Sequence, residues 1–267
     1  MAECLPEIGL AMYTVHQAAK RELSGTFAAL AQMGYRGVEL YGGTADFGKE
    51  AMRCALRESG LTLYGWHVEW REMQADRLEQ TLADLEELRC PIAVVPCLGG
   101  RWHIGHGPQE ECLEVWQRRI EQMNKLAERL ERCGIRMAYH NHDHEFRLSY
   151  QGKTVFRWLF DGLAPGVLME LDTGNCLEGG GDPCRELARC ASRDVLLHMK
   201  PYGPAHGFDV TLGAPDDAND WSAILRALGN RPKRLLVESE AVCLPEMENA
   251  RLCLEGARSV LKRRSTE

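Results

Sequence analysis

The sequence lacks an excess of positive charge. Its 267 residues include 32 Lys and Arg against 39 Asp and Glu, which gives a net charge of −7 at pH 7. No cluster of basic residues occurs before the short run at residues 262–264. A protein that neutralises nucleic-acid phosphates needs a basic patch, so the charge argues against a large nucleic-acid footprint. The C-terminal basic run is better explained as the cationic last turn of a helix.

Features of membrane and exported proteins are also missing. No stretch has the roughly 20 consecutive apolar residues that a membrane-spanning helix needs. Residues 1–9 have neither the basic n-region nor the apolar h-region of a secretory signal. We therefore expect a soluble cytoplasmic protein that does not bind membranes.

Paired cysteines are absent as well. None of the eleven cysteines falls in a CxxC pair, which argues against a zinc ribbon and a thioredoxin-type site. Most lie in apolar or helical surroundings, where cysteine acts as a small hydrophobic side chain, and this favours a reducing compartment. Cys97 and Cys176 lie near predicted strand ends, but neither has an evident histidine partner, so packing is the preferred interpretation over thiol catalysis.

Short apolar runs do alternate with longer amphipathic stretches along the whole chain. Strands are predicted at residues 8–13, 37–41, 61–67, 92–96, 135–141, 167–172, 195–199 and 235–238. Between them apolar residues recur at spacings of three and four, as in the predicted helices 111–132, 221–228 and 245–263. This pattern predicts an α/β protein, one closed (β/α)₈ TIM barrel over residues 1–267. No GxGxxG motif follows the first strand, which disfavours a doubly wound sheet.

Ionisable residues end the last four predicted strands. The fifth strand runs into YHNHDHEF at residues 139–146, and the others contain LMELD at 168–172, LLHMK at 196–200 and LLVESE at 235–240. Strands of a parallel barrel are buried on both faces, where ionisable groups are costly unless they are paired or bind a metal. Barrel enzymes build their active sites at these carboxyl ends. The four strand ends therefore predict an active site.

Three of these side chains would converge if they point into the barrel at similar heights: Asp172, His198 and Glu238. An Asp, a His and a Glu without a thiolate suit Mn²⁺, Mg²⁺, Co²⁺ or Zn²⁺. Each residue alone has a plainer explanation, because a strand-end carboxylate can cap a helix and a single histidine is often a hydrogen-bonded core residue. Their occurrence on consecutive strands favours one divalent metal site.

At these residues the chain resembles the sugar phosphate isomerase/epimerase family, the xylose-isomerase-like TIM barrels, along nearly all of its length. Residues 139–146 are close to that family's fifth-strand motif and are the most specific match. GYRGVEL at 34–40, ELDTG at 170–174 and VE at 237–238 are similar to its second, sixth and eighth strands. The family's stretch after the seventh strand is poorly matched by residues 213–221, which leaves the substrate open.

The resemblance implies one divalent metal held by Glu, Asp, His and Glu from the fifth to eighth strands. Carried over to this chain, the ligands are Glu145, Asp172, His198 and Glu238. The fifth-strand ligand stays open, because two histidines share one face of that strand and either could replace Glu145. The residues expected to contact the substrate lie near the same strand ends: Trp66, His67, His140, His142 and Lys200.

The implied function is that of an isomerase or epimerase that acts on a sugar, a sugar phosphate or a related keto-polyol, with manganese among the candidate metals. A bound metal would acidify the C–H beside a carbonyl and stabilise the enediolate. Glu145 and Glu238 would then remove and return the protons. The same chemistry serves dehydration, so a dehydratase or lyase that acts on an inosose or keto-glycoside is the first alternative.

Two further classes remain as alternatives. An abasic-site endonuclease of this fold needs three metals and further histidines, but the position three after Asp172 is Asn175, and the net charge opposes DNA binding. The second alternative is a barrel that binds a sugar without catalysing a reaction, and such a protein would have lost its metal. No motif implies a protein partner, and assembly into a homo-oligomer stays open.

Overall fold

The predicted apolar runs form eight parallel strands in a computed structural model that describes residues 6–42, 47–98, 112–231 and 234–264. The strands are β1 (Glu7–Ala11), β2 (Gly37–Leu40), β3 (Thr62–His67), β4 (Ile92–Val95), β5 (Arg136–His140), β6 (Leu168–Asp172), β7 (Val195–Met199) and β8 (Arg234–Val237). Neighbours in the chain pair with each other, and β8 pairs with β1 to close the barrel. The predicted TIM barrel fold is confirmed.

Helices alternate with the strands along the chain. They are α1 (His16–Arg21), α2 (Leu23–Met33), α3 (Lys49–Ser59), α4 (Leu78–Glu87), α5 (Leu113–Glu131), α6 (His144–Arg147), α7 (Val155–Gly162), α8 (Thr173–Glu178), α9 (Pro183–Arg189), α10 (Trp221–Leu228) and α11 (Glu246–Arg264). Short 3₁₀ segments occur at Met12–Val15 and Trp70–Met73, and an antiparallel hairpin pairs Ser149–Tyr150 with Lys153–Thr154. Within the described ranges, no helix is both long and apolar enough to cross a bilayer.

The predicted element boundaries agree closely with the structure. Each strand begins and ends within two residues of its predicted bounds; β1 stops at Ala11 because the next residues form a 3₁₀ turn. The helix predicted at 111–132 is α5, although its predicted first residue, Glu111, lies outside the described residues. Gly34 and Gly60 end α2 and α3 with φ of 103° and 73°, the left-handed conformation that glycine adopts without strain.

The apolar core has two parts. The larger part lies between the strands and the surrounding helices and includes Phe27, Leu30 and Trp116. The smaller part is formed by Val94, Ala138, Leu168 and Leu196, one from each of β4 to β7. Because side chains alternate along a strand, three of these four share the inward face with ionisable residues two positions further on. An apolar layer therefore lies beneath the polar strand ends.

Tyr64 occupies an irregularity between β2 and β3. The register shifts between Val38 and Glu39, and the Tyr64 ring lies against two strand glycines, Gly9 and Gly37. A Cβ atom on Gly37 would lie 2.3 Å from the ring and 2.6 Å from the carbonyl oxygen of Thr62. The barrel therefore depends on glycine at this position.

We expect Gly37→Ala to lower the free energy of unfolding by about 1–3 kcal/mol, the usual cost of overpacking a core. Urea unfolding followed by circular dichroism would measure it. Gly166→Ala is the matched control, because no described atom lies within 4 Å of the Cβ that it adds. Equal stability of the two variants would contradict the packing derived for Tyr64.

Candidate active site

The ionisable side chains at the strand ends meet inside the barrel. They come from β2, β3, β5, β6 and β7 and from residues that directly follow β7 and β8: Glu39, His67, His140, Glu170, Asp172, His198, Lys200 and Glu238. All are buried except His67, whose side chain is 13% exposed. Strand pairing fixes part of this arrangement, because His140 is opposite Glu170 and Asp172 is opposite His198.

Two polar side chains hold these strand ends in place. Asn141 follows β5, and its side chain both accepts from the backbone N–H of Asp172 at 3.0 Å and donates to its carbonyl at 3.1 Å. The Thr173 hydroxyl lies 3.0 Å from the Lys200 carbonyl oxygen, to which it donates. The neighbouring ends of β5, β6 and β7 are therefore cross-linked by hydrogen bonds, which preorganises the side chains that they carry.

Four of the buried side chains form a candidate metal site, called here the Asp172 set: His140, Asp172, His198 and Glu238. Each offers one ligand atom, and these four atoms all lie within 4.8 Å of one another. His198 Nδ1 is 2.7 Å from Glu238 Oε2, and His140 Nε2 is 4.0 Å from Asp172 Oδ2. Nitrogen and oxygen donors in this number suit a divalent transition metal.

Asp172 supplies the direct evidence that a cation fits this set. Its Oδ1 accepts a hydrogen bond from the backbone N–H of Asn175 at 2.7 Å, so the residue does cap α8. Its Oδ2 is buried without a hydrogen-bond partner among the described residues. Burial raises the pKa of Asp172 to about 7, although Lys200 opposes this shift. A buried carboxylate oxygen left unpaired is costly, and a bound cation would remove that cost.

Of the four residues predicted as metal ligands, the structure brings Asp172, His198 and Glu238 together and places Glu145 elsewhere. Glu145 lies on α6 and is fully buried. Its Oε1 accepts from the Tyr139 hydroxyl at 2.5 Å and its Oε2 from the backbone N–H of His142 at 2.8 Å. Because β5 ends at His140, the chain has already turned before Glu145. The imidazole of His140 occupies the position expected for the fifth-strand ligand.

Lys200 provides a fixed positive charge beside the Asp172 set. Its Nζ donates to Glu238 Oε1 at 3.0 Å, lies 3.8 Å from Asp172 Oδ2 and also donates to Glu240. Burial lowers the pKa of Lys200, but these carboxylates, Glu238 first, outweigh it and raise the pKa above its ordinary value. For Glu238 the directions are reversed: burial raises its pKa, but Lys200 and His198 outweigh burial and hold the pKa well below its usual range. The two side chains are therefore a buried ion pair.

A second group of buried ligand atoms adjoins the first. His67, His140, Glu170 and His198 offer four atoms within 4.8 Å of one another, and Glu39 contacts two of these histidines. Burial lowers the pKa of His67, but Glu39 and Glu170 raise it to about 10. The sequence predicted none of these contacts and did not single out Glu39 or Glu170 as site residues. Their signal was a carboxylate inside a short apolar strand, VEL at 38–40 and MEL at 169–171.

A cavity of about 590 Å³ opens over both groups. The residues that line it are Ala11, Met12, Tyr13, Glu39, Leu40, Tyr41, Gly42, His67, Glu69, Pro96, His140, His142, Asp143, Asn175, Phe208, Glu238 and Glu240. Cavities of this size hold small-molecule ligands. Three of the residues predicted to contact a substrate, His67, His140 and His142, are among them.

Trp66 and Lys200, also predicted to contact the substrate, are not among the residues that line this cavity. The Trp66 ring is buried beside Met12, Leu40 and Met52, and its Nε1 donates to the Gly42 carbonyl at 2.5 Å. Trp66 and His67 are adjacent in β3, so their side chains point to opposite faces of the strand. Contact of Trp66 with a substrate in this cavity is therefore not supported by its position. Lys200 acts on the site through its ion pairs.

Removal of the buried positive charge of Lys200 should be strongly destabilising. We expect Lys200→Met to lower the free energy of unfolding of the metal-free protein by about 3–5 kcal/mol, because buried carboxylates lose their partner. Urea unfolding in the presence of a chelator measures this change. Lys49→Met is the control: it removes the partly exposed pair of Lys49 with Asp84, which water screens, and should change stability little. Similar losses in both variants would rule out a buried ion pair at Lys200.

Comparison with known proteins agrees with this fold. The profile of the xylose isomerase-like TIM barrel family matches residues 27–260. The inosose dehydratase of Geobacillus kaustophilus (strain HTA426) is 25% identical over 186 residues, which are 64% of this chain and 59% of that protein. The match thus spans less than two thirds of that relative.

Solved structures share the fold over nearly the whole chain. A sugar phosphate isomerase/epimerase from Parabacteroides distasonis has a TM-score of 0.78 at 18% identity, covering 94% of this chain and 96% of its own. A xylose isomerase-like TIM barrel protein from Mycobacterium smegmatis, in complex with magnesium, has a TM-score of 0.64 at 15% identity, covering 99% and 98%. At these identities the two structures confirm the fold. The resemblance seen in the sequence motifs is also confirmed: the chain belongs to the xylose isomerase-like TIM barrel family.

Proposed function

We propose that this protein is a divalent-metal-dependent isomerase or epimerase that abstracts a proton beside the carbonyl of a sugar or related keto-polyol. The observation that carries the proposal is the Asp172 set, whose four ligand atoms lie within 4.8 Å of one another at a cavity of about 590 Å³. Two of its members, His140 and Glu238, line the cavity. A cation held there would face the substrate space rather than a closed core.

The Asp172 set would hold the cation through two imidazole nitrogens and two carboxylates. When bound, the cation supplies Lewis acidity toward a substrate carbonyl and its neighbouring hydroxyl. A mixed nitrogen and oxygen set favours Mn²⁺, Co²⁺ or Zn²⁺ over Mg²⁺, which prefers oxygen ligands and water. The magnesium in the Mycobacterium smegmatis neighbour supports a divalent metal as the class of cofactor.

Proton transfer requires groups that reach the cavity. Glu238 is the carboxylate of the Asp172 set that lines it, and the ion pair with Lys200 keeps this group in its basic form. Glu145 does not reach the cavity, because both of its oxygens accept hydrogen bonds at the β5–α6 turn. We assign the second proton transfer to His142, which lines the cavity beside His140.

The cavity lining also indicates the charge of the substrate. Neither lysine nor arginine is among the described residues that line it. Five of them are carboxylates: Glu39, Glu69, Asp143, Glu238 and Glu240. Carboxylates and imidazoles bind hydroxyl groups, whereas a phosphate needs cationic or N–H donors. The proposed substrate is therefore an unphosphorylated sugar or polyol. The same lining opposes the approach of a DNA backbone and disfavours the endonuclease alternative.

A dehydratase is the second candidate, and the similarity to inosose dehydratase favours it. Dehydration begins with the same proton abstraction beside a carbonyl. It ends when the hydroxyl on the next carbon leaves as water, after taking the proton that Glu238 has received. The two candidates therefore share the abstraction by Glu238 and differ in the product.

Solvent exchange at carbon tests the shared step. In D₂O with Mn²⁺, we expect deuterium to enter uncharged ketoses or inososes at the carbon beside the carbonyl, measured by NMR. Chelation should abolish the exchange, and Glu238→Gln should slow it by about 10²–10⁴-fold, the usual contribution of a general base. Glu50→Gln, at an exposed position of α3, is the charge-matched control. Exchange that persists in metal-free protein would overturn the proposal.

Product analysis separates the two candidates and tests the charge of the substrate. An epimer or isomer of equal mass would assign the isomerase, and a product lighter by one water would assign the dehydratase. We expect kcat/KM for a phosphorylated ketose to be at least about 10-fold lower than for its unphosphorylated form, a difference of about 1.4 kcal/mol. Higher salt should narrow the gap, since it screens the repulsion. A preference for the phosphate would contradict the acidic lining.

A further inference from the structure

Three buried side chains beside the Asp172 set crowd their polar atoms around one point. His67 Nε2 lies 2.9 Å from Glu39 Oε2 and 2.8 Å from Glu170 Oε2. These three residues are called here the His67 set. An imidazole nitrogen carries at most one hydrogen and cannot donate a full hydrogen bond to two oxygens at once. At least one of the two short contacts therefore needs a proton or a cation besides the hydrogen on His67 Nε2.

The histidines of the Asp172 set make this need sharper. His198 faces Glu238 through Nδ1 at 2.7 Å, while its Nε2 is 2.8 Å from Glu39 Oε2. When Nδ1 binds a metal, Nε2 carries the hydrogen and donates a hydrogen bond to Glu39. Histidines that bind a metal usually donate their second N–H to a nearby carboxylate in this way. The imidazole is then neutral, so it brings Glu39 a hydrogen bond but no charge.

His140 bridges the two sets in the same way. Its Nε2 faces Asp172, and its Nδ1 is 3.1 Å from Glu170 Oε2. With a cation in the Asp172 set, the two carboxylates of the His67 set each accept one neutral N–H donor. Their two negative charges are left with the His67 ring as the nearest cationic group, and burial makes an uncompensated charge expensive.

Each of these carboxylates also keeps an unused oxygen. Glu39 Oε1 and Glu170 Oε1 are buried and, within the described part of the chain, have no hydrogen-bond partner. A Cβ atom on Gly65 would lie 2.7 Å from Glu39 Oε1, so glycine at that position leaves the space that the carboxylate occupies. Both carboxylates therefore retain capacity to bind a cation, including in a bidentate manner.

We propose that Glu39, His67 and Glu170 hold a second divalent cation next to the Asp172 set. The inference rests on the proposed function only in taking the Asp172 set as the first cation site. Donor atoms 2.8–2.9 Å apart match neighbouring ligands on a metal with bonds of about 2.0–2.2 Å. One imidazole and two carboxylates suit Mn²⁺, Co²⁺ or Zn²⁺ and balance the charge of the ion. Glu39 and His67 line the cavity, so an open coordination position would face a substrate oxygen.

The number and position of bound ions test the second site directly. Protein stripped with a chelator is dialysed against Mn²⁺, freed of unbound ion and analysed for manganese per chain. We expect two ions per chain in the unaltered protein, one in His67→Gln, one in Glu170→Gln and one in Asp172→Asn. His206→Gln removes an exposed histidine and should keep both ions. Anomalous diffraction from Mn²⁺-loaded crystals of the unaltered protein should show one peak in each set, a result that depends on no variant.

Each other outcome separates this inference from the proposed function. One ion that is lost in Asp172→Asn and kept in His67→Gln would overturn the second site and leave the first. One ion that is lost in His67→Gln and kept in Asp172→Asn would place the cation in the His67 set and overturn the proposed role of the Asp172 set. Chains that bind no Mn²⁺ would overturn both.

Discussion

The structure depends on the compensation of negative charge inside the barrel. Four carboxylates, those of Glu39, Glu170, Asp172 and Glu238, are at most 6% exposed, and water cannot solvate them. Each needs a cation or a hydrogen-bond donor, because an unpaired buried charge would cost a large share of the stability of an ordinary domain. Lys200 and three histidines supply part of this compensation from the protein itself, and the unused carboxylate oxygens show where it is incomplete.

The barrel makes such a concentration of charge tolerable by fixing the positions of its partners. Parallel pairing puts Asp172 opposite His198 and His140 opposite Glu170. The backbone register therefore brings each acid next to a base, and little side-chain freedom has to be lost. The apolar layer of Val94, Ala138, Leu168 and Leu196 closes the space beneath them. With water excluded from that side, each electrostatic contact is stronger than it would be at the surface, whether it stabilises the fold or a bound cation.

The fold was readable from the sequence because its signals are local. Each strand is a short apolar run followed by a turn, and glycines in the left-handed conformation end α2 and α3, as is typical of helix C-termini. The site was readable only in part. Alternation could have shown that Trp66 faces away from His67, but the turn after His140, which takes Glu145 out of the site, leaves no periodic signal. The contact of Glu39 with His198 joins residues 159 positions apart, and no local pattern predicts it.

His198 and His140 contact both groups of carboxylates and thereby link the Asp172 set to the His67 set. His198 and His140 each present one nitrogen to the Asp172 set and the other to Glu39 or Glu170. A cation on one nitrogen fixes the hydrogen on the other, and thereby fixes which carboxylate receives a neutral donor. A cation in the Asp172 set therefore increases the unbalanced negative charge around His67. In turn, a positive charge near His67 favours the tautomers of His198 and His140 that the Asp172 set requires. Binding at the two sets should be mutually favourable, because each removes a cost that the other creates.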